Sequence, residues 1–596
     1  MSKKLLMGNE AIGLSAIYAG VNVVTGYPGT PSTEVLETIA ANNPGDIYVE
    51  WSVNEKVAME VAAGASYAGA RTLVTMKQVG LNVASDPLMS LSYIGTKGGM
   101  VVLVADDPGP FSSQTEQDTR HFARFSNLPV FDPCSPEEAF EMVKSAFELS
   151  ERVRLPVFLR PTTRVCHSCS TVEVPDAYER HKAEGFAKDP GWVIFPALAN
   201  RRHRHLEGLQ QELGEIFSNM GYNTITGNGS KGIAASGMAY SYVKEVLSTI
   251  DEDVRLFKVG TPYPFPAKLG REFIECIDEV LVIEELDPVV EESLIELAAS
   301  NAGKPAVLGK KSGKLPFAGE YTFEIVRNAV VEFLGITDSV AEKSIQPPEL
   351  PVRPPVLCAG CPHRGAFYAV KTALKNNKAV FTGDIGCYTL GNAKPLDMVD
   401  TCLCMGAGIT IAQGLEHAEA GVKHIAFIGD STFFHTGIPG VLNAVYNNAD
   451  ITVIVLDNST TAMTGHQPHP GTGKTMMGSI SEKIDIENLL HACGVKHVEK
   501  ADPLKFRDSV GTVKKAADYR GPSAVIFQSP CISHIKPSVR QKVNDKCTSC
   551  KRCVREIGCP AMTVSGEVVR IEPSLCYGCT LCAQICPFGA IGGVSE

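Results

Sequence analysis

The sequence predicts an α/β protein, several doubly wound parallel-sheet domains followed by a small cysteine-rich C-terminal module. Three observations predict it. Short apolar runs, such as residues 425–428 and 451–456, flank a helical pattern at 440–446, which spells strand, crossover helix and parallel strand. A chain of 596 residues, 44% hydrophobic and 20% charged, can bury several cores. Eight of the nineteen cysteines fall in the last fifty residues.

In chain order the pattern gives an α/β block over residues 1–185 and a second over 186–345 with no recognisable chemistry. A stiff proline-rich linker follows at 346–356, then a third block over 357–535 and the cysteine module over 536–596. The polar stretch 536–546, with Pro537, should leave that module a mobile appendage. A net charge of −11 argues against nucleic acid as the main partner, since a phosphate backbone needs a cationic face. No apolar run reaches membrane-spanning length and the N-terminus lacks a signal-peptide core, so the expectation is a cytoplasmic protein with no membrane. Nineteen cysteines in such a protein point to metal or redox centres rather than disulfides.

The third block carries the organising motif, Gly429-Asp430-Ser431 answered by Asp457-Asn458. In a strand–helix–strand unit the carboxyl ends of neighbouring strands open onto one crevice, so Asp430 and Asn458 should meet there. A carboxylate, an amide oxygen and a backbone carbonyl near Thr460 make half an octahedral Mg²⁺ shell, with room for two phosphate oxygens. An Asp after a strand also caps helices, and that reading stays open. The pair resembles the diphosphate motif of thiamine diphosphate enzymes, with Ser431 and Asp457 as substitutions.

The first block opens with a helix at 9–19 and a strand at 21–25. The turn Gly26-Tyr27-Pro28-Gly29-Thr30-Pro31-Ser32 should then lead into a helix capped by Thr30, with Pro31 at its first position. Further on, Asn54-Glu55-Lys56-Val57-Ala58 leads into a small-residue helix. Glu55 is either a first-turn acid favoured by the helix dipole or, by resemblance to the thiamine enzymes, the carboxyl bonded to the aminopyrimidine ring nitrogen. In that role it lets the exocyclic imine take the thiazolium C2 proton.

At the C-terminus, Cys547, Cys550, Cys553 and Cys559-Pro560, then Cys576, Cys579, Cys582 and Cys586-Pro587, form the duplicated run of a bacterial-type ferredoxin with two [4Fe–4S] clusters. The fourth cysteine of each run crosses over, so Cys586 should join Cys547, Cys550 and Cys553, and Cys559 should join Cys576, Cys579 and Cys582. Five residues separate Cys553 from Cys559 where the pattern expects three. Paired zinc sites are the alternative.

Cys358 and Cys361 in Cys358-Ala359-Gly360-Cys361-Pro362-His363-Arg364, with Cys387 and Cys531, lie at strand ends or loops of the third block, where they converge on a cluster or stay unligated core cysteines. With these in place the whole chain resembles the 2-oxoacid:ferredoxin oxidoreductases, in their arylpyruvate branch, through the Gly26–Thr33 turn, residues 358–364, 429–435 and 463–467, and the terminal module. The resemblance implies that Cys358, Cys361, Cys387 and Cys531 hold a third, proximal [4Fe–4S] cluster. It implies that Thr30 lies near the substrate carboxylate and that Met405 is the apolar wedge bending thiamine diphosphate. The implied reaction is oxidative decarboxylation of aryl 2-oxoacids with CoA, electrons passing through the clusters to an external ferredoxin. A smaller beta subunit completes the enzyme, in a dimer of alpha-beta pairs. Relatives acting on pyruvate carry an arginine for the carboxylate near Asp106-Asp107; this chain has none there. A non-oxidative thiamine decarboxylase or carboligase, with structural or redox-sensing clusters, is the alternative. The run 309–315 is not a P-loop, since three residues separate its glycines and Leu315 replaces the Mg²⁺-binding hydroxyl.

Overall fold

A computed structural model describes residues 2–301, 303–336, 348–419 and 421–593. The first two residues of the expected linker, 346 and 347, lie outside them. The chain forms two compact units, Met1–Ile345 and Gln346–Glu596.

Among the described residues the first unit holds two large sheets and a small antiparallel one, Ser2–Met7 with Cys169–Val174. One is six-stranded and parallel, in the order Tyr48–Trp51, Val23–Gly26, Thr72–Lys77, Met100–Ala105, Val157–Leu159, Val130–Phe131. Its inner strands are continuous apolar runs: every residue of Met100–Ala105 is buried, as both faces are covered by helices. The chain winds outward from Val23–Gly26 in one direction and resumes at Thr72–Lys77 in the other, so these two neighbours flank the switch point where such sheets open a crevice. The second sheet runs Ala306–Leu308, Glu279–Ile283, Lys231–Ser236, Arg255–Val259, Asn223–Thr226, with only the last pair antiparallel. A buried ion-pair network joins the two layers: Arg120 bonds Asp118 at 2.6 Å and Glu284 at 2.6 Å.

The turn after Val23–Gly26 differs from expectation. The helix is Thr33–Ala41 and its N-cap is Ser32, two residues beyond Thr30. The Gly29 N–H is taken by the Thr33 hydroxyl at 3.0 Å and the Ser32 hydroxyl donates to the Gly29 carbonyl at 2.9 Å, which closes a turn over 29–33 and leaves Thr30 and Pro31 outside the helix.

The second unit holds a five-stranded parallel sheet in the order Ala379–Thr382, Lys423–Gly429, Ile451–Asp457, Ser523–Gln528, His497–Ala501. The helix Pro362–Ala373 packs on it through Phe367, whose ring centroid is 4.7 Å from that of Phe427, a pair worth about 1 kcal/mol beyond its buried area.

The cysteine module is not the loose appendage the linker composition suggested. It is built from two antiparallel pairings, Gln541–Val543 with Ile591–Gly593 and Met562–Ser565 with Val568–Ile571, and it shares one hydrophobic core with the Pro362–Ala373 layer. Ile557, Leu581 and Ile585 are buried beside Phe367, Tyr368 and Val370. Arg364 fixes the contact: its guanidinium donates to the carbonyls of Ile557 at 2.8 Å and Gly558 at 2.9 Å, and to its own domain's Leu357 at 2.6 Å. Composition described the tether and missed the apolar face that the module buries.

Candidate functional site

Strands Lys423–Gly429 and Ile451–Asp457 pair in parallel with Gly429 level with Leu456, so Asp430 and Asp457 leave the sheet side by side. Instead of one helix, the crossover begins as the short turn Asp430–Thr432, then the π-turn Phe433–Gly437, then the helix Ile438–Tyr446. Asp430 Oδ2 accepts the Asn458 N–H at 3.1 Å and Oδ1 the Ser431 N–H at 2.8 Å, so the two expected oxygen donors do come together. Asn458 Oδ1 accepts the Thr460 N–H at 3.2 Å, and Ser431 Oγ accepts the Thr461 hydroxyl at 2.9 Å. Asp430, Asn458 and Thr460 are all buried, and Thr460 Oγ1 has no hydrogen-bond partner among the described residues. An all-oxygen donor set with an orphaned buried hydroxyl fits a hard cation and a diphosphate.

Two histidines brace this loop. His469 Nε2 lies 3.1 Å from Asp430 Oδ2, and His363 Nε2 faces Asn458 Nδ2 at 3.2 Å. Burial raises the Asp430 carboxyl, but the hydrogen bond and charge of His469, together with the bonds from the Ser431 N–H and Asp457, hold Asp430 below the usual range. Burial takes His363 down to about 4, so its ring is neutral and can accept from the Asn458 amide. Tyr388 wedges between two glycines: a Cβ on Gly429 would sit 2.4 Å from its ring and one on Gly386 2.5 Å. Only glycine permits that approach.

Met405 follows a loop held from both sides. Its carbonyl accepts the Thr436 hydroxyl at 2.7 Å, and the next N–H, Gly406, donates to Asp384 Oδ2 at 2.8 Å. Asp384 is fully buried, and burial lifts its carboxyl to about 8 although the Ile385 and Gly406 N–H groups pull it down.

The cysteines fall into three groups. Cys547, Cys550, Cys553 and Cys586 border one small cavity. Cys559, Cys576, Cys579 and Cys582 border a second, and Cys361 and Arg364 line that same cavity from the neighbouring domain. Backbone N–H groups point at sulfur in both, Ala590 to Cys586 at 3.3 Å and Gln541 to Cys576 at 3.4 Å, as an electron-rich thiolate cluster requires. In the third group, burial and then the charges of Cys358 and Cys387 raise the Cys361 thiol to about 12, and burial and then Cys531 and Cys358 raise Cys387 to about 11. Cys387 is therefore within electrostatic reach of the other three, Cys358, Cys361 and Cys531. The Cys531 N–H is bonded to the Asn458 carbonyl at 3.0 Å. Cys166 is buried and Cys169 exposed.

In the first unit, Glu55 opens the helix Glu55–Tyr67, whose cap Asn54 accepts the Val57 N–H at 2.9 Å. Glu55 is 5% exposed, and a Cβ on Gly80 would lie 2.5 Å from its Oε1, so its carboxyl lies against bare backbone. The Thr30 carbonyl accepts the Ser112 hydroxyl at 2.9 Å.

Comparison with known proteins decides the family. Residues 15–194 match the model for pyruvate flavodoxin/ferredoxin oxidoreductase, thiamine diphosphate-binding, 221–324 the indolepyruvate ferredoxin oxidoreductase middle domain, 384–527 the C-terminal thiamine pyrophosphate-binding domain, and 569–592 a 4Fe-4S binding domain. Indolepyruvate oxidoreductase subunit IorA of Methanothermobacter marburgensis is 44% identical over 601 residues, 98% of this chain and 96% of its own. The proteins of the same name from Archaeoglobus fulgidus and Thermococcus kodakarensis are each 41% identical, over 99% of this chain and 97% of theirs. The chain belongs to the IorA family.

As a member of the IorA family it is an oxidoreductase of the thiamine diphosphate-dependent 2-oxoacid:ferredoxin oxidoreductases, with iron–sulfur clusters. Among the described residues no helix is long and apolar enough to cross a membrane. Sequence reasoning on this IorA-type chain missed His363, His469, Tyr388 and Asp384. Two of them had a usable signal: Asp384 sits in Gly383-Asp384-Ile385-Gly386-Cys387, the same strand-to-Gly-Asp pattern as Gly429-Asp430, and His363 stands two residues after Cys361. His469 and Tyr388 had none, because the residues they reach at the site, Asp430 and Gly429, are distant in sequence.

Proposed function

We propose that this chain is the large subunit of an enzyme that oxidatively decarboxylates indolepyruvate and other aryl 2-oxoacids with CoA, delivering electrons to an external ferredoxin. A smaller subunit completes it, in a dimer of such pairs. Residues 1–185 serve the pyrimidine, 357–535 the diphosphate, 536–596 the terminal clusters, and 186–345 the scaffold. The observation that carries this reading is the Asp430–Asn458 crossing, which ties a diphosphate-type oxygen set directly to Cys531.

When bound, thiamine diphosphate supplies a cationic thiazolium that accepts the electron pair released as CO₂ leaves. The protein's own groups do the rest. Asp430, Asn458 and the Thr460 backbone would hold Mg²⁺, while Gly429 and Ser431 would line the phosphates. Glu55, dry against Gly80, holds a proton at the pyrimidine ring nitrogen. Met405 supports the bend of the cofactor, on a loop fixed by Asp384 and Thr436. Thr30 contacts the substrate. Cys358, Cys361, Cys387 and Cys531 would hold a proximal cluster, which would supply one-electron chemistry there, and Arg364 joins their domain to the cavity of Cys559, Cys576, Cys579 and Cys582.

Anaerobic assay of the purified complex with a panel of 2-oxoacids tests the reading. CoA-dependent reduction of ferredoxin, fastest with arylpyruvates, supports it. Free aldehyde formed without CoA or an electron acceptor would make the chain a non-oxidative decarboxylase.

A further inference from the structure

The first unit contains a cation that the reading above does not use. Lys77 ends the strand Thr72–Lys77, at the carboxyl edge of the six-stranded sheet and beside its switch point. Its level neighbour on one side is Ala105, just ahead of Asp106-Asp107. On the other side, the strand Val23–Gly26 runs into the turn that carries Thr30. The side chain lies along that turn: a Cβ on Gly29 would be 3.0 Å from Lys77 Cγ and 3.3 Å from Cδ, so the bare glycine lets the lysine stem pass close by.

Lys77 is partly buried, yet among the described residues its ammonium has no carboxylate within ion-pair distance and no hydrogen bond. Burial draws its pKa down, with the charges of Glu55 and then Asp107 opposing. Those two carboxylates are near enough to be felt and are placed otherwise. Asp107 is satisfied by the Ser112 and Ser113 N–H groups at 2.9 Å each and by the Thr163 hydroxyl at 2.6 Å. Glu55 is held against Gly80. A half-buried ammonium left unpaired is costly, and the usual reason for keeping one is an anion that comes and goes.

We propose that the Lys77 ammonium anchors the carboxylate of the 2-oxoacid, at the turn that carries Thr30. The proposal rests on the reading of the chain as a 2-oxoacid oxidoreductase and supplies the cation that the region of Asp106-Asp107 lacks. A lysine is a point charge on a flexible stem, so it neutralises the carboxylate without fixing its plane as a bidentate arginine would, leaving the bond to CO₂ free to turn.

The test is steady-state kinetics of the complex carrying Lys77→Gln or Lys77→Arg. Loss of one charge-assisted contact predicts that Lys77→Gln raises KM for indolepyruvate about tenfold to hundredfold, that Lys77→Arg recovers most of it, and that thiamine diphosphate affinity is unchanged in both. An unchanged KM in Lys77→Gln overturns the proposal, as does an equal loss of cofactor affinity. If the wild-type complex turns over no 2-oxoacid, the functional reading fails by itself. Titration with indole-3-acetate as a bare carboxylate probe then judges Lys77 separately: weaker binding to Lys77→Gln supports the anchor, and equal binding removes it.

Discussion

The N–H of Cys531 donates to the carbonyl of Asn458 at 3.0 Å, so a proposed cluster ligand and a proposed magnesium ligand hang on one peptide hydrogen bond. The bond is backbone to backbone and survives replacement of the thiol. Cys531→Ala in the full-length chain should therefore keep thiamine diphosphate binding while iron falls from about twelve to about eight atoms per chain, one four-iron cluster fewer. Anaerobic iron analysis with cofactor titration reads both quantities. Twelve irons in the variant would remove Cys531 from the ligand set.

Asp430 is the one anionic oxygen donor expected at the magnesium, and His469 secures its orientation. Asp430→Ala should weaken Mg²⁺-dependent thiamine diphosphate binding by about a hundredfold or more, and His469→Ala by about tenfold, since removing a partner that orients a metal ligand costs roughly 10–100-fold. Titration calorimetry with and without Mg²⁺ distinguishes the two; wild-type affinity in Asp430→Ala would reduce that residue to a helix cap.

Glu55→Gln keeps the size of the side chain and removes its acidity. The variant should bind cofactor and lose about 10²–10⁴-fold in turnover, the range of a general acid–base contribution. Deuterium exchange at the thiazolium C2 should slow in parallel, and unaltered exchange would remove Glu55 from proton transfer.

Asp384 gives a pH signature. Burial raises its folded carboxyl to about 8, far above the usual carboxylate range of about 4, so the folded chain holds this proton across an interval in which the unfolded chain has released it. Its contribution is fully present below about pH 4 and is lost as the pH rises through about 8. Asp384→Asn should flatten that decline in thermal stability. Parallel melting profiles of wild type and variant over this window would contradict the assignment.

Arg364 holds three carbonyls and its removal leaves them without a donor. Arg364→Met should cost the second unit about 3 kcal/mol and expose residues 536–546 to limited proteolysis. Gly558→Ala should act alike, because a Cβ there would lie 2.3 Å from Pro395 on a backbone with φ of 62°. Protease resistance equal to wild type in both would mean that the shared core alone holds the module.

Much of this was legible in the residues, and the reasons differ from place to place. The strand–helix–strand around Asp430 was readable because its apolar runs are local and its two polar marks fall at strand ends. The terminal cysteines were readable because ligand spacing is a local constraint. The start of the helix at Thr33 was missed because Thr30-Pro31 mimics a cap while the Gly29–Thr33 hydrogen bond closes the turn first. Docking of the module was missed because it depends on Ile557, Leu581 and Ile585 finding a surface about two hundred residues earlier in the chain. The one oddity of spacing, five residues between Cys553 and Cys559, was visible as an anomaly, and its meaning was not: the added length carries Ile557 and Gly558, the carbonyls that Arg364 grips.

The cavity shared by Cys361 with Cys559, Cys576, Cys579 and Cys582 also sets a timetable for biogenesis. Its walls come from segments 198 positions apart, at Cys361 and Cys559. At about 5–20 residues per second, a ribosome needs roughly 10–40 s to travel between them. For that interval Cys358 and Cys361 are out of the tunnel with no far wall to close against, free thiols open to oxygen, to stray metal and to each other. With the cluster ligands proposed above, metal loading at this junction would belong after synthesis, and the nascent chain would have to be kept reduced until the segment of Cys559 to Cys582 arrives.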